Sequence, residues 1–417
     1  MTQRYSGLIL LILAGELIFS LPFHITRFFK TGVLEVFQIS NTNLGDAFAF
    51  YGIFALLSYF PGGYLADRYP PRKLIFYSLL FTGIGGIYFA TIPKPTMLPY
   101  LYAFWGITTI LFFWGALIKY TSDWGGMDQQ GRAFGYLEAG RALVASIFSS
   151  IAFLLVYLFS QNSESFSRNS VQLVILFYAI TTIVLSFLVL FFLQDKIKKR
   201  TSGSPMGASI NINYYPVFLI SIIVVCAYCG FRSIDNISLY LVEIGNFTPI
   251  EASGFVTLLS YLRIISALAA GFIADKLTSI KLIIRLFIII IIGQSILFSI
   301  HPQTFYHSLL VTGTLIVVFI SIVALRAVYF SLITHSHIPS HRIGFCVGII
   351  SLVGFTPDIF FHSLTGRILD AEPGIIGFQN YYLVTMLISI LGLLASLKLS
   401  RWISSKNSIQ DVSRTNN

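Results

Sequence analysis

The sequence predicts an all-α integral membrane protein, with twelve transmembrane helices arranged as two pseudo-symmetric six-helix bundles. Three observations carry this. Of 417 residues, 56% are hydrophobic and only 11% are charged, with a mean hydropathy of +0.80. A soluble domain carries roughly a quarter charged residues, so a large soluble domain is excluded. Apolar runs long enough to cross about 30 Å of hydrocarbon recur twelve times along the chain. Finally, a tight charged turn occurs twice, about half a chain apart: Gly63-Tyr64-Leu65-Ala66-Asp67-Arg68-Tyr69-Pro70-Pro71-Arg72-Lys73, then Gly271-Phe272-Ile273-Ala274-Asp275-Lys276-Leu277-Thr278-Ser279-Ile280-Lys281. A turn repeated at half-length is the mark of two copies of one bundle.

In chain order, the expected spans are 6–29, 44–65, 73–91, 98–120, 132–159, 171–194, 213–241, 251–273, 280–300, 306–334, 343–368 and 379–401. The bundles are then 1–194 and 213–402. Between them, 195–212 is a polar linker with Lys196, Lys198, Lys199 and Arg200. The polar end, 403–417, is expected to be a disordered cytoplasmic tail. The first span has no small-residue cleavage site after it and reads as uncleaved. Its end is ambiguous. Hydropathy stops near Ile25, but Phe28, Phe29, Val33, Leu34, Val36 and Phe37 continue an apolar face, and Pro22 kinks any helix running through it. Arg27 and Lys30 therefore lie in an outer loop, or on a long helix facing a water-filled cavity.

The net charge of +10 suggests nucleic acid until the charges are placed. With the N-terminus in the cytoplasm, about 18 of the 27 Lys and Arg fall in cytoplasmic segments, which is the positive-inside asymmetry. The aromatics lie in apolar runs, unavailable to bases, so no nucleic-acid partner is expected. Both termini then lie on the cytoplasmic side of a membrane read as the bacterial inner membrane. Cys226, Cys229 and Cys346 sit in apolar runs; the Cys226-Ala227-Tyr228-Cys229 pair has no second pair and no nearby His, so buried structural thiols are expected. His335, Ser336, His337 and His341 cluster in a turn, but no carboxylate or thiol completes a metal site there. No cofactor is expected. There is no Gly-x-Ser-x-Gly, paired metal-ligand motif or nucleotide-binding glycine loop, so the chain reads as no enzyme, and its energy must come from gradients.

Twelve spans in two halves, a central basic loop and the Gly-x-x-x-Asp-Arg-x-x-x-Arg-Lys turn together resemble the major facilitator superfamily. Gly63, Asp67, Arg68, Arg72 and Lys73 match its signature turn, and Gly271, Asp275, Lys276 and Lys281 match the weaker second copy. More narrowly, Asp67-Arg68-Tyr69-Pro70-Pro71-Arg72 resembles the form found in the organophosphate:phosphate antiporter family. Arg27, in Phe23-His24-Ile25-Thr26-Arg27, is similar to that family's first cavity arginine, and Arg232, in Phe231-Arg232-Ser233-Ile234-Asp235, to its second. The spacing of Arg232 to Asp235 departs from the family pattern, and spans four and five diverge, consistent with a side branch. The resemblance implies alternating access and, from the narrower match, exchange of an organic anion for inorganic phosphate. It also implies that Gly63, Asp67, Arg68, Arg72, Gly271 and Asp275 form a conformational latch. Basic residues holding the loop inside would explain the same turn by topology alone.

An ionisable group inside a span costs roughly 2.5 to 3.5 kcal/mol on insertion scales, so each needs a partner or a cavity. Arg27 and Arg232 are nearly superimposed by the half-chain offset, and two guanidiniums facing one cavity clamp an oxyanion. The alternative pairs Arg232 with Asp235 on its own helix. Arg326 in the tenth span and Lys119 at the end of the fourth extend the basic set, although Lys119 is near enough to the edge to snorkel. Glu138 and Arg141, three apart, form a structural pair or a proton-coupling site. Asp358 and His362, one turn apart after Pro357, form a relay or a polar pair at a kink. Glu16 is alone in the first span and implies a protonated carboxylate or an unseen cation.

The expected function is secondary active transport of a small organic anion, a phosphorylated or acidic sugar-like metabolite, by a monomer. Two other readings stay open: proton symport of a neutral or weakly acidic solute through Glu16, Glu138 or Asp358, and a transporter-like sensor that binds without flux.

Overall fold

The computed structural model describes residues 2–125, 130–159, 166–194, 214–300, 307–333, 336 and 343–415. The expected linker at 195–212 and the loop histidines His335, His337 and His341 fall outside them. Twelve helical segments are long and apolar enough to cross a membrane: Ser6–Phe28, Asn41–Arg68, Pro71–Ala90, Pro95–Trp124, Gly135–Phe159, Arg168–Phe192, Tyr214–Glu243, Pro249–Ala274, Ser279–Ser299, Ser308–Leu332, Cys346–Ala371 and Ile375–Lys406. No strand occurs among the described residues. The observed helices overlap all twelve expected spans. Several run past their apolar core, because a helix ends at a cap and not where hydropathy falls. The last helix extends from Ile375 to Thr415, so the expected disordered tail is helical through Thr415.

Among the described residues, the fourth span carries a π-turn at Ile110–Trp114, and three further spans are broken near the charged groups. In the first, a π-turn covers Ser20–His24 around Pro22. Proline removes a backbone donor, and the helix widens there instead of ending. Helix then resumes over Ile25–Phe28 and again over Lys30–Phe37. The seventh span is interrupted by a 3₁₀ turn at Ile234–Asn236. The eleventh is helical over Ile343–Gly354, turns, and restarts at Pro357. Proline at a helix start suits the missing donor.

By contacts the chain divides into two units that cross the half-chain boundary. The first holds Met1–Lys198, Asp235–Ile264 and Asp358–Gly374; the second holds Lys199–Ile234, Ile265–Pro357 and Ile375–Asn417. In the first, spans three and six pack along each other, with Gly83 and Gly86 against Ala179; in the second, spans nine and twelve do so, with Gly392 against Phe287. The offset of six spans is what an internal repeat requires. Large apolar side chains such as Phe60 and Leu309 stand exposed at 91% and 72%, as a face turned to lipid allows.

Within the first unit, the helix Asn41–Arg68 meets the helix Pro357–Ala371 backbone to backbone. A Cβ at Gly45 would lie 2.3 Å from the His362 carbonyl oxygen, one at Gly52 2.6 Å from Asp358, and one at Gly366 2.4 Å from the Asn41 carbonyl. Close approach of this kind needs small residues. Charge holds the same seam. Asp370 accepts from the Asn41 and Thr42 backbone N–H at 3.1 and 2.6 Å, capping the second span. Asp46 accepts from Arg367 at 2.7 Å and from the Ser363 hydroxyl at 2.5 Å.

Gly62, not Gly63, is the signature-turn glycine in contact: its Cβ would fall 2.9 Å from the Leu111 carbonyl, whereas Gly63 has nothing within 4 Å. These distances separate two substitutions. Gly45→Ala is expected to cost about 1–3 kcal/mol by overpacking. Gly63→Ala, in open space on a helix, is expected to be neutral or slightly stabilising. Thermal midpoints of the two purified variants check the contrast.

Candidate functional site

The first unit buries two charge clusters. One is built on the broken ends of spans one and seven. Arg27 follows the π-turn, is buried, and donates from Nε to Asp235 Oδ1. Asp235 sits in the 3₁₀ turn, and its Oδ2 faces His362 Nε2 at 3.1 Å. Lys30, at the start of the next short helix, donates to the Asn236 side-chain oxygen. Thr26, Lys30, Asn41, Gly45, Asp235, Asn236, His362 and Thr365 are among the residues around a cavity of about 20 Å³, room for one water molecule. Lys30 lies just beyond the first span, and burial pulls its ammonium down to about 8 despite Asp235, Asp370 and Glu243. The side chain is therefore largely charged at neutral pH.

The second cluster surrounds Glu16, which is 2% exposed. Its Oε2 accepts from Arg141 Nε at 3.1 Å; its Oε1 faces Arg263 at 3.3 Å and His24 Nε2 at 3.3 Å. Arg141 also donates to Glu138 at 2.7 Å. Gly15 makes room, since a Cβ there would lie 3.2 Å from Arg141 Cδ. Three helices thus supply the counter-charge that Glu16 needs.

The second unit carries Arg232 and Arg326. Arg232 is buried, with its guanidinium carbon 5.1 Å from the Tyr228 ring centre; Arg326 lies 3.7 Å over the Phe231 ring. Tyr228 and Phe231 stack on each other at 6.1 Å. Cation–π contact of this kind helps hold a guanidinium in place.

Several expectations change. Arg27 lies in the helix and not in an outer loop. Asp235 pairs with Arg27 and His362, which the alternative of an Arg232–Asp235 pair did not foresee. His362 faces Asp235, a partner from another span that the Asp358–His362 reading did not include. Asp358 is half-buried where the eleventh span restarts. Lys119 donates to the backbone carbonyls of Ala66 and Asp67, bracing the carbonyl end of the second span beside the signature turn. Glu138 and Arg141 do pair, and the unseen cations of Glu16 are Arg141, Arg263 and His24. In the signature turn Asp67 and Arg68 are exposed, Arg68 stacks 4.3 Å over Tyr64, and Arg72 is half-buried. Gly271 has nothing within 4 Å, and the Asp275 side chain is outside the described residues. Cys226, Cys229 and Cys346 are buried free thiols.

The reading of the sequence missed Arg263, His24 and Asn236. Arg263 carried a usable signal, a cation inside an apolar run. Asn236 and His24 carried none that separates them from ordinary polar residues.

With this geometry in place, the family is plain. The chain belongs to the Major Facilitator Superfamily, whose model matches residues 12–361. It is 27% identical to the inner membrane protein YihN of Escherichia coli K12, over 97% of each chain. It is 25% identical to the inner membrane protein YqcE of the same organism, over 92% of each. Its fold is similar to that of a bacterial homolog of the human lysosomal transporter Spinster, with a TM-score of 0.78 at 13% identity, covering 96% of this chain and 97% of that one.

A double-mutant cycle measures the first cluster. Asp235→Ala strands Arg27 without its acid and is expected to cost about 3–5 kcal/mol. Adding Arg27→Leu should recover part of that loss, giving a coupling of about 1 kcal/mol or more between positions 208 apart in sequence. Chemical denaturation of the four proteins checks it; additive losses would deny the pair.

Proposed function

We propose that this protein is a secondary active transporter that carries a small organic anion across the inner membrane by alternating access, in exchange for phosphate. The observation that carries the anion reading is the imbalance of buried charge. Among the described residues four cations (Arg27, Lys30, Arg141 and Arg232) are fully buried, against two carboxylates (Glu16 and Asp235). Buried cations thus outnumber buried carboxylates in a medium that penalises each charge. An anionic substrate cancels that excess; a neutral one leaves it. Arg326 on its aromatic face adds to it.

Guanidiniums suit phosphate and carboxylate because their fork matches two oxygens at once. Thr26, Asn41, Asn236 and Thr365 beside Lys30 offer the neutral hydrogen bonds that a sugar-like body needs. The cavity has room for about one water molecule, so substrate entry calls for a different arrangement, as alternating access supplies. Exchange with phosphate rests on the signature-turn resemblance, and the inner-membrane location on the relatives. The Asp67, Arg68 and Arg72 latch, braced by Lys119, is the moving element of this proposal.

The test is uptake of labelled phosphate into liposomes that carry the purified protein and hold unlabelled phosphate inside. Robust exchange, competed by an organic phosphate, is expected. Arg232→Ala and Arg232→Lys should both abolish it while leaving the protein folded, because an ammonium cannot reproduce the fork. Full exchange in both variants contradicts the guanidinium role. Uptake driven by a pH gradient, with no phosphate exchange, would favour proton symport instead.

A further inference from the structure

The Glu16 cluster leaves buried polar atoms unserved. Both Glu16 oxygens are engaged, Oε2 by Arg141 and Oε1 by Arg263 and His24. Yet His24 Nδ1 and the Tyr178 hydroxyl are buried with no hydrogen-bond partner among the described residues. His24 is 3% exposed, Tyr178 is fully buried, and their rings meet edge to face at 6.2 Å. Buried polar groups without partners are rare and call for an explanation.

Arg141 is also shared. Its Nε serves buried Glu16 and its NH1 serves Glu138, whose side chain is 56% exposed. The Arg263 side chain is 15% exposed and stands on a different helix from either. Two guanidiniums on separate oxygens of one buried carboxylate make an oxyanion seat, and one of them also serves an exposed acid.

We propose that Arg141 and Arg263 form a second oxyanion subsite, which the Glu16 carboxylate fills at rest and a ligand phosphate takes over. A tetrahedral oxyanion has oxygens for both guanidiniums and for the Tyr178 hydroxyl; the planar carboxylate has only two. Glu16 is then an internal counter-ion that offsets part of the guanidinium charge while no ligand is there. The subsite extends the anion reading to a second place, but its test involves no transport.

The experiment is thermal unfolding of the purified full chain against inorganic phosphate, with chloride holding ionic strength constant. Glu16→Gln removes the internal anion and keeps the shape. The variant is expected to gain stability with phosphate at a concentration about tenfold lower than wild type requires. Glu16→Gln with Arg263→Gln should lose that gain. A folded Glu16→Gln protein with no phosphate-dependent gain overturns the proposal, and so does a gain that survives in the double variant. Failure of Glu16→Gln to fold even with phosphate present throughout purification overturns it too, because phosphate is held to replace the missing carboxylate. Absence of phosphate exchange in wild-type liposomes would remove the transport reading and leave this result standing.

Discussion

A charge placed in hydrocarbon must bring its counter-charge with it, and this constraint orders the interior of the first unit. Glu16 and Asp235 are the two fully buried carboxylates among the described residues, and each organises a cluster from several helices. Asp235 joins the broken end of the first span to the restart of the eleventh through Arg27 and His362. Glu16 joins the first, fifth and eighth spans through Arg141 and Arg263. Removing one member leaves an uncompensated charge, so the clusters hold together or fail together.

Breaks in the helices are what let these groups meet. A regular helix directs every side chain on a fixed spiral and satisfies its own backbone. The π-turn at Ser20–His24 and the 3₁₀ turn at Ile234–Asn236 interrupt that spiral beside Arg27 and Asp235. Membrane helices tolerate such breaks only where neighbouring groups satisfy the freed backbone. Glycine does the complementary work on the seam between the second and eleventh spans, where Gly45, Gly52 and Gly366 bring backbones into contact and Asp370 caps a helix start.

The fold was legible because its signals are local. An apolar run of twenty residues, a proline, and a charged turn at half-length each speak for themselves, and the twelve spans and the family follow from them. Individual site residues were partly legible for the same reason: Glu16, Arg27, Arg141 and Arg232 stand out against apolar neighbours. Their partners were not. Arg27 and Asp235 are 208 positions apart, Arg263 and Glu16 247 apart, and no local pattern encodes such pairs. Local reasoning therefore looked for a partner of His362 on its own helix and did not reach Asp235. It also set Lys119 in the cavity, where helix-end carbonyls in fact take its ammonium. The tail misled for a related reason, since a polar composition permits an exposed helix extending from a packed one.

The central claim is that an excess of buried positive charge selects an anionic substrate. Calorimetric titration of the purified protein with a matched pair, a sugar phosphate and the same sugar without its phosphate, tests it most directly. The account predicts binding of the phosphate at least about tenfold tighter, a difference of about 1.4 kcal/mol. Equal binding of the two, or tighter binding of the neutral sugar, would contradict it.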